Sequence, residues 1–272
     1  MAEPAAPVVT PLVYDEYGGL FVEAAVGEDA PRRFIFDTGA SASTLSTEYA
    51  QAQGLPLAAG DEVTGTAGSV ATQTTAATLH VPGLEDVSIE WVVYGFGSYD
   101  PTCVGIVGYQ LLRLRPFAIS YADRTVTWDA PAPDVVPIAM TLDGGIPRIA
   151  GELEGVALDF RIDTGATLAP TPDFYLNLAP SQAQALGLAD RKPVKVFQAT
   201  GTGGTPLQLP VFEVHDLRLG PVHVARAFAI VQPEVGYFAR PEAVGFLGNS
   251  VLDKLQPRFD YEAGTLHLTP PS

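Results

Sequence analysis

Two aspartates, Asp37 and Asp163, each open the same run, Asp-Thr-Gly-Ala, and each directly follows an apolar, strand-like stretch. Hydrolysis of an amide without a metal or a nucleophilic side chain needs one group to take a proton from water and another to give one to the carbonyl oxygen. Two carboxyls held side by side can do both, because like charges resist joint ionisation and the pair keeps one proton. Gly39 and Gly165 let the backbone turn sharply after each carboxylate and approach a partner loop. Thr38 and Thr164 supply hydroxyls able to tie the two loops together and fix the carboxyl separation. A lone Asp-Thr-Gly is weak, since chance alone gives it at roughly one position in several thousand. A strand ending in an Asp/Gly turn would explain one copy. It does not explain a whole tetrapeptide preserved twice while the flanking positions differ.

The spacing of the two runs reveals the unit that must position them. Sliding the sequence on itself by 163 − 37 = 126 positions aligns residues 11–40 with 137–166 without a gap. Pro11, Gly18, Gly19, Ala24, Glu28 and Phe34 recur as Pro137, Gly144, Gly145, Ala150, Glu154 and Phe160, before the shared tetrapeptide. Thr64–Gly68 then parallels Thr200–Gly204, and Gly105-Ile-Val-Gly108 parallels Gly245-Phe-Leu-Gly248. Duplication predicts two lobes, 1–130 and 135–272, joined by the proline-containing linker Asp129-Ala-Pro-Ala-Pro-Asp134. The extra length of the second copy falls where surface loops are expected.

Each copy reads as β. Leu20–Val26, Arg33–Phe36, Val87–Val93 and Arg124–Trp128 are short, rich in β-branched or aromatic residues, and mostly bounded by Gly, Pro or Asp. Helical periodicity is confined to Ser46–Gln53, Gln110–Leu114, Ser181–Leu186 and Ser250–Leu255. The expected fold class is all-β, with two barrel-like lobes and a few short helices.

On these residues the chain resembles the pepsin/retropepsin superfamily of aspartic peptidases, across both halves, in the form of a bacterial-type single-chain retropepsin-like protease with the acid-protease fold. The resemblance implies that Asp37 and Asp163 form the catalytic dyad, supported by Thr38, Gly39, Thr164 and Gly165. Ile106-Val107-Gly108 and Phe246-Leu247-Gly248 resemble the bracing motif behind each catalytic loop. Thr64–Gly68 resembles the tip of a substrate-covering flap, and Gly65, Thr66 and Gly68, with Gly201 and Gly203 in the second copy, become candidate flap residues. Ala after each Asp-Thr-Gly matches retroviral enzymes rather than pepsins, and no Tyr stands near Gly65–Ser69, where pepsin-like flaps usually carry one. The implied partner is a peptide or protein substrate cut in an interlobe cleft, with no cofactor. The alternative is a noncatalytic peptide-binding or scaffolding protein on the same fold.

Composition narrows the remaining classes. A formal charge of −16, from 15 basic and 31 acidic residues, argues against nucleic acid as a partner. No apolar run is long enough for a membrane-spanning helix. Cys103, the single cysteine, excludes a disulfide framework within one chain and reads as a small buried hydrophobe. His80, His215, His223 and His267 lack ligand spacing and read as partly exposed strand residues, so no metal site is expected. Tyr94–Asp100 and Tyr237–Arg240 read either as half-buried loop aromatics or as walls of a substrate pocket. The opening Met-Ala-Glu-Pro-Ala-Ala-Pro resembles the start of a chain released at a small-residue cleavage site, giving the expectation of a periplasmic or secreted protein.

Because one chain carries both Asp-Thr-Gly runs, the expected active species is a monomer. Specific activity should stay constant on dilution while light scattering reports one chain per particle. Activity that disappears in step with dimer dissociation would contradict this.

Overall fold

The computed structural model describes residues 7–65, 68–95, 98, 100–200 and 206–269. Strands Arg32–Phe36 and Val156–Ile162 carry the chain into the two Asp-Thr-Gly runs. In the first, Phe34 and Phe36 are fully buried while Arg32, Arg33 and Ile35 are not, the period-two pattern of a strand with one face on the core. Phe160 and Ile162 do the same in the second.

Each of these strands is flanked in one way. Arg32–Phe36 runs antiparallel to Leu20–Val26 and parallel to Cys103–Val107. Val156–Ile162 runs antiparallel to Ile146–Leu153 and parallel to Gly245–Leu247. A glycine sits at the crowded point of each parallel pair. A Cβ on Gly105 would come within 2.6 Å of the Phe34 ring, and one on Gly245 would collide with the Asn177 carbonyl. These glycines directly precede the two bracing motifs.

Among the paired strands, those up to Trp128 pair with one another and those from Ile138 onward do likewise. The two sets meet in a six-stranded antiparallel sheet ordered Val8–Tyr14, Thr125–Trp128, Phe117–Ser120, Arg258–Asp260, Thr265–His267, Ile138–Asp143. At its centre Phe117 stands opposite Phe259, and Ile119 N–H donates to Pro257 O at 3.0 Å. The Phe117 and Phe259 rings stack at 4.9 Å. Phe117 also packs on Trp128 at 5.4 Å and edge-on to Phe36 at 5.5 Å. This aromatic cluster therefore reaches from the junction of the lobes to the residue before Asp37.

The expected all-β fold of two barrel-like lobes is what the chain adopts, with short helices at Thr47–Ala52, Tyr109–Leu112, Pro180–Ala185 and Asn249–Leu252. No described helix is long and apolar enough to cross a membrane. The linker is anchored rather than loose. Arg115 donates to the Asp129 carboxylate at 2.7 Å, and the buried Arg258 donates to Ala130 O at 2.8 Å. One histidine departs from expectation. His267 is buried, not partly exposed, because its strand has neighbours on both sides in the six-stranded sheet. Burial lowers its pKa, and its Nδ1 has no partner. Cys103 is buried, as its apolar setting led one to expect.

Truncating a ring at the centre of this cluster leaves a cavity between the lobes. Phe117→Ala is expected to destabilise the protein by about 3–5 kcal/mol, read as a lower urea midpoint at unchanged slope. An effect below about 1 kcal/mol would mean that the aromatic junction contributes little.

Candidate active site

The two Asp-Thr-Gly loops meet face to face, held by four buried hydrogen bonds. Thr38 N–H donates to Thr164 Oγ1 at 2.9 Å, and Thr164 N–H donates to Thr38 Oγ1 at 3.1 Å. Each hydroxyl then donates across to the opposite strand, Thr38 to Ile162 O at 2.8 Å and Thr164 to Phe36 O at 2.6 Å. Both threonines are buried, so each hydroxyl both accepts and donates where water cannot substitute. The two strands that enter the loops are thereby locked to one another.

Behind each loop stands its bracing motif. Asp37 N–H donates to Val107 O and Asp163 N–H to Leu247 O, both at 3.0 Å. Tyr109 N–H and Asn249 N–H, one residue past each motif, donate to Ala40 O at 3.0 Å and Ala166 O at 3.2 Å. A Cβ on Gly108 or Gly248 would press against Ala40 or Ala166, so both bracing glycines serve a close backbone approach.

The glycines of the two runs report how near the carboxyls lie. A Cβ on Gly39 would sit 2.5 Å from the carboxyl carbon of Asp163, and one on Gly165 would overlap the carboxyl of Asp37. Each loop thus leans on the acid of the other. Gly39 N–H donates to Asp37 Oδ1 at 2.7 Å and Ala166 N–H to Asp163 Oδ1 at 2.9 Å. Burial pushes Asp37 well above the usual carboxylate range, and the charge of Asp163 adds to it. Burial also raises Asp163, against the opposing pull of its hydrogen bonds and of the Arg161 charge. The two titrate as one unit that keeps a proton above the ordinary range.

Above them lies a cavity of about 710 Å³. Its walls come from both halves and include Tyr94, Ile106, Arg161, Phe197, Gln232 and Tyr237. Tyr94 and Tyr237, read from the sequence either as half-buried aromatics or as pocket walls, both line this cavity. Burial raises the Tyr94 phenol, and the Asp37 charge adds to that.

Gly65 and Gly68 sit at the end of the hairpin Val63–Thr64/Ser69–Val70. Gly65 N–H donates to Gly68 O at 2.8 Å, and Gly65 O accepts from Tyr237 N–H at 3.0 Å. The hairpin from the first half therefore touches the second half of the chain. Gly65 lines the cavity. The other flap candidates, Thr66, Gly201 and Gly203, lie outside the described residues.

Sequence reasoning missed two contributors. Asn249 is wholly buried and knits three segments: its Nδ2 donates to Gly18 O at 2.9 Å and Thr164 O at 2.8 Å, and its Oδ1 accepts from Tyr121 OH at 2.7 Å. Its place directly after the second bracing Gly was the available signal. Arg161 was passed over as part of an apolar strand, although a charged residue two positions before Asp163 was itself a signal.

Residues 22–109 match the family model described as aspartyl protease. The matched segment contains the first Asp-Thr-Gly and the first bracing motif. No curated protein matches the chain.

The raised dyad has a consequence for stability. An acid whose folded pKa lies above its unfolded value stabilises the fold while protonated, and that contribution is lost as pH rises through the folded pKa. Asp37→Asn removes the buried like-charge cost, so its melting temperature relative to wild type should be higher at pH 7 than at pH 4. The scale is about 2–4 °C per kcal/mol relieved. A difference that is constant across pH, or largest at pH 4, would contradict a raised dyad.

Proposed function

We propose that the protein is an aspartic endopeptidase whose catalytic residues are Asp37 and Asp163, in a cleft between lobes 1–130 and 135–272. The observation that carries this reading is the reciprocal approach of each Asp-Thr-Gly glycine to the other loop's buried carboxyl. Such an arrangement brings two acids from opposite lobes to one point facing a cavity large enough for several peptide side chains. The family match over residues 22–109 supports the same class of chemistry.

In the reading proposed, a water molecule lies between the carboxyls, one ionised and one protonated. The carboxylate takes a proton from the water as its oxygen attacks the peptide carbonyl carbon, and the carboxylic acid gives its proton to the carbonyl oxygen. The tetrahedral intermediate collapses as the C–N bond breaks. The amine leaves with a proton from the dyad, and the hydroxyl proton returns to it. The Gly39 and Ala166 N–H groups hold one oxygen of each carboxyl, which orients the other oxygens toward the water. The hairpin bearing Gly65 covers the extended substrate and shields the reaction from bulk water.

Asp37→Asn and Asp163→Asn should each lower kcat by about 10³-fold or more against a diverse peptide mixture, since Asn cannot exchange protons. Mass spectrometry of the products gives the cleavage positions, and circular dichroism confirms the fold. Turnover in either variant near the wild-type rate would remove the dyad assignment. Tight peptide binding by the wild type with no cleavage at any pH would favour the peptide-binding alternative.

A further inference from the structure

One wall of the cavity that Asp37 and Asp163 line carries a cation. Phe160 and Ile162 point into the core, so Arg161 between them faces the other way, on the same side of the chain as Asp163. Its guanidinium lies over the Tyr237 ring at 3.9 Å, and its Nη2 donates to Asp143 Oδ2 at 2.6 Å. The Nε is buried without a partner, and no hydrogen bond among the described residues engages Nη1. The side chain is only 18% exposed, so these donors are largely withheld from bulk water. The corresponding position in the first half, 161 − 126 = 35, is Ile35. The cation therefore belongs to one wall of the cleft, in a protein whose formal charge is −16.

Tyr237 joins this cation to the flap. Its ring supports the guanidinium, its hydroxyl accepts from Val244 N–H at 3.0 Å, and its backbone N–H holds Gly65 O. The guanidinium plane is thus fixed before any substrate arrives. An arginine presents five donors in a rigid fork, and Asp143 uses one of its edges.

Resting on the peptidase reading, we propose that Arg161 is a specificity-determining residue that binds a carboxylate side chain, Asp or Glu, of the substrate beside the cleaved bond. The substrate carboxylate would share the guanidinium with Asp143, which is 44% exposed. Lying two residues before Asp163 on the same strand face, Arg161 serves the subsite adjoining the dyad. Without it, an acidic side chain there would face the dyad's own negative charge unaided. A guanidinium that only braced the Asp143 turn would affect stability without discriminating Glu from Gln.

The test uses two matched sets of ten-residue peptides, randomised except for one position fixed in turn as Glu or Gln, at pH 6, where a peptide Glu is ionised. For wild type, kcat/KM should favour Glu over Gln by roughly ten- to hundredfold at one position next to the cleaved bond. Arg161→Met should bring that ratio to one or below, and Arg161→Lys should restore part of it. Arg161→Gln replaces the Met variant if the latter fails to fold. Equal handling of Glu and Gln peptides by wild type, or an unchanged ratio in the Arg161 variant, would overturn the inference while leaving the peptidase reading intact. If no peptide is cut at all, the peptidase reading falls. Anisotropy titrations of the same labelled peptides on Asp37→Asn, with and without Arg161→Met, then decide the inference separately. Tighter binding of Glu peptides that is lost with Arg161 supports it; no Glu preference overturns it.

Discussion

The reciprocal hydrogen bonding of Thr38 and Thr164 is the constraint on which the rest of the site depends. Each hydroxyl accepts from the opposite backbone N–H and donates to the opposite strand carbonyl, with no water to compete. Loss of either threonine would strand a buried N–H and a buried C=O, which is costlier than the loss of an exposed hydrogen bond. Because two of the four bonds join the loops directly and two run from a loop threonine to the end of the opposite strand, they fix the acids relative to one another rather than each to its own half of the chain. The two glycines then allow the approach, since a methyl group at either position would occupy the space of the opposite carboxyl.

That local lock is carried by a larger one. The six-stranded sheet joins the lobes through the pairing of Phe117–Ser120 with Arg258–Asp260, and the stacked Phe117 and Phe259 fill the space beneath it. Phe36 packs edge-on to Phe117 and precedes Asp37. Phe36, next to Asp37, is thereby tied into the aromatic junction of the two halves. Asn249 adds a polar counterpart, tying the second bracing motif to Gly18 and Tyr121 of the first half.

Pairing two similar loops gives a near-symmetric base, yet the cavity above it is not symmetric. Arg161 stands where the first half has Ile35, and Asn249 stands where the first half has Tyr109. The hairpin that carries Gly65 in the first half rests on Tyr237 of the second. In the proposed peptidase, the symmetric base would let two equivalent acids share a proton, and the asymmetric walls would suit a substrate whose chain has a direction.

The sequence alone determined the all-β class and the position of the strands entering each Asp-Thr-Gly run, and it singled out the two acids that the fold brings together, because these depend on period-two burial and on residue types that repeat. It also located the four short helices to within a few residues. The burial of His267 was not legible, since its local pattern matches that of an edge strand and only its two neighbours in the six-stranded sheet cover it. Nor were the roles of Arg161 and Asn249, nor the contacts that Tyr237 makes with Arg161 and Gly65. Each depends on partners 76 to 231 positions away or on a contact made across the cleft: Arg161 with Tyr237, Asn249 with Gly18, Tyr237 with Gly65. Local periodicity can say which face of a strand is turned from the core. What that face meets is decided only when the two lobes close on one another, because the energies that place it belong to contacts between segments and not to any one of them.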